Sequence, residues 1–144
     1  MSRVRGAWWA APAATAAGAV AVLGYVGAVS PYAGGNYPTC PTLALAGLYC
    51  PGCGALRALH ELAGLDAVAA WLMNPFVVLA VPFLVATWVA WTRRRALGVP
   101  RRGMAPPWVL HLLLAGILLF WVLRNVPLLA PWLAPGGVVA PLFS

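Results

Sequence analysis

The sequence predicts an all-α integral membrane protein: three transmembrane helices plus a short extracytoplasmic helix carrying a cysteine motif. Two observations carry this. Of the 144 residues, 63% are hydrophobic and only 8% are charged, whereas a soluble domain holds roughly a quarter charged residues. Nine Arg, Glu61 and Asp66 cannot hydrate a globule of this size, so a soluble enzyme, a disordered tail and a coiled coil all fit poorly. The second observation is placement. The Arg residues punctuate long apolar runs, so the net charge of +7 reads as membrane topology. Nucleic-acid binders cluster their basic residues among polar ones, and no nucleic-acid partner is expected. The chain is expected to form a single membrane domain over residues 1–144.

The first span is expected over residues 7–29. Ala7 to Val29 is 23 residues without a charge, enough helix for about 30 Å of hydrocarbon. Arg3 and Arg5 precede it, Trp8 and Trp9 sit at one interface, and Tyr25 and Tyr32 mark the other. A cleavable signal peptide would have an apolar core about half as long, so a retained helix is the reading.

Residues 30–65 form the long non-membrane segment. It opens on turn formers from Ser30 to Pro38 and contains all three cysteines. Beyond Cys53 the pattern turns helical and stops at Gly64, placed as a C-cap glycine. Asp66 is a good N-cap for the next helix. The second span is expected over residues 67–92, about 39 Å of helix. Asn74-Pro75 and Pro82 lie inside it; each proline removes a helix hydrogen bond and invites a kink. Asn74 is read as a group that re-satisfies the freed backbone.

Arg93-Arg94-Arg95 closes that span, and Arg101-Arg102 ends a short loop. The third span is expected over residues 105–123, with His111 as an interfacial histidine near its Arg-rich end. Arg124-Asn125-Val126-Pro127 stops it. The tail, 124–144, is apolar but too rich in Pro and Gly for a fourth span, and is expected on the membrane face or against the loop of residues 30–65.

Three spans put Arg3, Arg5, Arg93, Arg94, Arg95, Arg101 and Arg102 on one side. The other side holds Arg57 and Arg124 against Glu61 and Asp66. The basic side should be cytoplasmic, which makes the cysteine loop and the C-terminus extracytoplasmic.

The chemistry-bearing candidates are Cys40, Cys50, Cys53 and His60. If a helix starts near Cys53, then Cys53, Arg57, His60 and Gly64 share one face. Three thiolates and an imidazole make an acceptable tetrahedral zinc set, closed and therefore structural. Two other readings stand beside it. Cys50-Pro-Gly-Cys53 at a helix start has the form of a redox pair, with the odd third cysteine as a resolving thiol. Alternatively, the cysteines are small residues filling a tight turn. Arg57 and Glu61 are spaced as an ordinary helix-surface pair. Arg124 can snorkel to headgroups, or join Arg57 on a lipid phosphate.

With these residues set out, the chain resembles a family of small bacterial membrane proteins known as domain of unknown function 2752. The resemblance rests on Cys40-Pro41, Gly47-Leu48-Tyr49-Cys50-Pro51-Gly52-Cys53-Gly54, Arg57-Ala58-Leu59-His60, Gly64 and Asn74-Pro75. It covers residues 38 to 82, and Arg124-Asn125 with Pro127 is similar to the family's C-terminal end. Leu56 stands where members often carry Thr. The resemblance implies a compact multi-span protein with an outer cysteine motif, and implies no activity; the location expected for the chain is a bacterial inner membrane.

The functional expectation is an accessory or interaction subunit rather than an enzyme, its Cys/His motif a metal-bound or disulfide-stabilised cap with zinc as the candidate ion. Its partners would be the bilayer and either another membrane protein or further copies of itself. The rivals are a membrane thiol-disulfide oxidoreductase using Cys50 and Cys53, and a lipid-binding or transport component built on Arg57, Asn74 and Arg124.

Overall fold

A computed structural model describes residues 8–38, 40–100 and 106–136. All regular structure among them is helical: α1 (Ala10–Ala28), α2 (Pro41–Ala46), α3 (Ala55–Ala63), α4 (Ala67–Met73), α5 (Pro75–Ala96), α6 (Pro107–Arg124) and α7 (Ala130–Leu133). Three helices are long and apolar enough to cross a membrane: α1 with 19 residues, α5 with 22 and α6 with 18. Arg3, Arg5, Arg101 and Arg102, four of the seven arginines in the orientation argument, lie outside the described residues.

The second span differs from its expectation. Residues 67–92 do not form one kinked helix; the chain breaks at Asn74, which adopts extended backbone with φ −161° and ψ 96°. The cause is local. A residue before proline is driven out of the helical region, and Pro75 is well placed at a helix start, where its missing N–H costs nothing. The Asn74 side chain then accepts from the Val77 N–H and caps α5. Pro82 stays within α5, which runs on through Arg93, Arg94 and Arg95 to Ala96.

The turn between α3 and α4 also departs from the sequence reading. Gly64 does cap α3, but in ordinary backbone with φ −79°. The left-handed residue is Leu65, at φ 64°. The Asp66 N–H returns to the Glu61 carbonyl and the Leu65 N–H to Leu62, a Schellman closure with leucine where glycine is usual. Asp66 caps α4 as expected, its carboxylate accepting from the Ala69 N–H at 2.8 Å.

Packing concentrates at one end of the spans. The chain leaves the end of α1 and returns as α3, which leans back against it: Gly27 faces the Ala63 methyl, and His60 reaches the Val26 carbonyl. Ala58 and Ala70, both fully buried, let α3 and α4 approach closely. Lower down, Trp88 of α5 donates to Thr15 and to the Pro12 carbonyl of α1. The α6 helix meets the start of α5 through stacked Phe76 and Phe120. Most of the spans' apolar side chains are otherwise exposed, as surfaces facing lipid are.

The tail turns back over this packed end. Pro135 lies close to Gly54, and the Gly136 N–H donates to the Leu72 carbonyl. Residues 137–144 lie outside the described residues.

Candidate metal centre

The three cysteines arrive from two short segments. Cys40 immediately precedes α2, whose first residue is Pro41. Cys50 and Cys53 flank a tight turn in which the Cys53 N–H donates to the Cys50 carbonyl and the Ala55 N–H to the Gly52 carbonyl. This folds the Cys-x-x-Cys step back on itself. The Sγ atoms of Cys40 and Cys50 are 3.3 Å apart, as are those of Cys50 and Cys53. All three sulfurs lie within 4.8 Å of one another. Thiolates at such spacing can surround one thiophilic ion, since zinc–sulfur bonds are about 2.3 Å long.

The sulfurs are not equivalent. The Leu43 N–H favours the Cys40 thiolate, and the neighbouring Cys53 and Cys50 thiols assist, lowering its pKa to about 6. Burial acts oppositely on Cys53, with the Cys40 and Cys50 sulfurs adding to it, and pushes that thiol up to about 12. The Cys50 N–H points at the Cys53 sulfur from 3.2 Å.

His60 does not join them. Its Nδ1 lies 2.8 Å from the Val26 carbonyl, to which it donates, and its ring packs edge-on against Tyr32. The expected shared face with Cys53 fails because Gly54, at φ 79°, turns the chain between Cys53 and α3, so helical spacing cannot be counted from Cys53. The described residues therefore bring together three of the four expected ligands. The closed tetrahedral set built with His60 is replaced by three sulfurs.

What holds the loop in place is a set of polar side chains from elsewhere. Asn74, fully buried, donates to the carbonyls of Pro51 and Cys53 at 3.0 and 3.1 Å. Arg124, also fully buried, donates to Cys50, Pro51 and Cys53 carbonyls at 2.9, 3.2 and 3.1 Å. Its guanidinium lies over the Phe120 ring at 4.9 Å and near the Tyr49 ring at 5.8 Å. Asn125 completes the clamp, accepting from the Tyr49 N–H at 2.8 Å and donating to the Tyr49 carbonyl at 2.9 Å. Arg124 thus points into the protein rather than snorkelling to headgroups, and adds a second donor to three loop carbonyls that already accept from Asn74 or from the Cys53 N–H.

Arg57 sits apart from Arg124, exposed, with its guanidinium 5.2 Å from the centre of the Tyr32 ring. Its expected partner Glu61 instead accepts from the Tyr32 hydroxyl. Burial, reinforced by Glu61, pushes the Tyr32 phenol up to about 12. His111 is exposed and bonds its own helix at Pro107.

Sequence reasoning passed over Asn125 and Tyr49. The signal was present: an Arg-Asn pair closing an apolar helix offers seven side-chain N–H donors, too many for a helix terminus to use alone.

Fold and site together define a small three-span helical membrane protein with a cysteine centre clamped at one end of its helices. Residues 40–88 match the family model described as "Protein of unknown function (DUF2752)", the family the sequence resembles. The match covers the three cysteines and Asn74 but stops short of α6, which supplies Arg124 and Asn125. No curated protein and no solved structure matches the chain.

Proposed function

We propose that the cysteine centre is a structural metal site, with zinc the first candidate, that caps a small accessory or interaction subunit of a bacterial inner membrane. The observation that carries this reading is the convergence of three sulfurs within 4.8 Å in a loop whose backbone Asn74, Arg124 and Asn125 hold from two other helices. An ion bound there would tie the start of α2 to the turn before α3. Neither side-chain carboxylate of the chain is free to act as a base beside it: Glu61 is engaged with Tyr32 and Asp66 caps α4.

The basic loops favour a cytoplasmic N-terminus, which puts the cysteines and the α6 C-terminus on the extracytoplasmic side. The exposed flanks of α5 and α6 suit lipid, a partner membrane protein or a second copy of the chain.

Chelation tests the structural role. Removing the ion from purified protein under reducing conditions should lower its thermal unfolding temperature, and zinc should restore it. An unfolding temperature indifferent to chelator, together with a mixed disulfide trapped on Cys50 in a Cys53→Ser chain, would instead establish a thiol-disulfide enzyme. Labelling with a membrane-impermeant thiol reagent in whole cells tests the orientation; labelling only after lysis would invert it.

A further inference from the structure

A cation as large as guanidinium is costly to bury unless an opposite charge accompanies it. Arg124 is fully buried, yet the two side-chain carboxylates of the chain are committed to Tyr32 and Ala69. Its partners are backbone carbonyls, and its Nε is buried with no partner among the described residues. Carbonyl dipoles and the C-terminal end of α6 solvate the cation in part but carry no net charge to cancel it. The carbonyls it holds belong to Cys50, Pro51 and Cys53, so the cation is bonded to the backbone of two of the three cysteines.

We infer that Arg124 is the counter-ion of an anionic three-thiolate centre built to hold one divalent thiophilic cation. Three thiolates around a divalent ion leave a single negative charge, which one guanidinium balances. With the ion bound, all three cysteines are ligands in their thiolate form. The inference rests on reading them as a ligand set, and adds the charge type of the ion and the residue that selects it.

Zinc affinity of the full chain in detergent, read by competition with a chromophoric chelator, tests it in wild type, Arg124→Gln and Arg124→Lys. Glutamine keeps two N–H donors for the loop carbonyls but has no charge; lysine keeps the charge and three donors but loses the planar fork. The charge role predicts that Arg124→Gln binds zinc about 10–100-fold more weakly and that Arg124→Lys recovers most of the loss. Equal loss in both variants, or better binding by the glutamine chain, overturns the inference and leaves Arg124 a clamp on the loop. Wild-type protein that takes no zinc overturns the ligand-set reading itself.

A chain with all three cysteines changed to serine supplies a second reading that needs no bound ion. There Arg124→Gln should raise thermal stability and yield, the reverse of its effect when the cysteines are present. A glutamine that lowers both alike in either background contradicts the pairing.

Discussion

Asn74 and Arg124 donate to the same two carbonyls, those of Pro51 and Cys53. One residue comes from a helix break and the other from the end of a different span, so the cysteine loop is held only when α5 and α6 are both in place. Asn74 also caps α5 through its Oδ1. Asn74→Ala removes a cap and two hydrogen bonds to the loop, leaving the Pro51 and Cys53 carbonyls to Arg124 alone, which should cost about 2–4 kcal/mol. Asn74→Asp should be worse: it keeps the cap but aims a carboxylate at the carbonyls of Pro51 and Cys53. Thermal unfolding in detergent checks both, and an aspartate chain as stable as wild type would refute the assignment.

Gly54 has no room for a side chain. A Cβ there would lie 2.5 Å from the Met73 carbonyl and 3.0 Å from Pro135, at φ 79°. The backbone oxygen cannot yield without moving the α4–α5 break. Gly54→Ala should destabilise by more than about 2 kcal/mol and disrupt the cysteine centre. Gly52→Ala is the control: its nearest neighbour would be the Cys50 sulfur at 3.8 Å, and it should be tolerated.

Leu65 presents the opposite opportunity. It occupies a left-handed position at φ 64° while 92% exposed, so its side chain gains almost nothing from packing. Leu65→Gly should stabilise the α3–α4 turn by about 1 kcal/mol, seen as a higher unfolding temperature. A fall would mean that Leu65 is covered in the membrane.

Metal-free, reduced protein should show ordered thiol reactivity. The Cys40 pKa, lowered to about 6, makes it a thiolate at neutral pH and a protonated thiol only as the pH falls through 6. Cys53, pushed up to about 12, stays protonated across that range. Alkylation at pH 7 should therefore modify Cys40 first and Cys53 last, with Cys40 losing reactivity below about pH 6. Peptide mass spectrometry after timed quenching reads this order directly.

The spans were legible because charge exclusion over some twenty residues has no other common physical cause. Asp66 was legible as a cap because its signal is local. The break at Asn74 was half legible: proline announced a disturbance, but whether a helix bends or stops depends on what the freed groups find, and Asn74 found a loop more than twenty residues earlier. His60 was misplaced for a related reason. Counting helical register from Cys53 assumed a continuous helix, and the left-handed Gly54 intervenes. Arg124 was seen as a charge at a membrane boundary, where water is the usual destination. Its true destination is a set of carbonyls that exists only once the cysteine loop has folded. Local signals were readable; clamps made between distant segments were not.

Metal content measured together with thiol count tests the central claim most directly. Protein purified under reducing conditions without chelator should carry close to one thiophilic divalent ion per chain. Its three cysteines should resist alkylation until a chelator is added and then all react. An ion content far below one per chain, with all three thiols alkylated at once in the untreated protein, would contradict the assignment of Cys40, Cys50 and Cys53 as a metal centre.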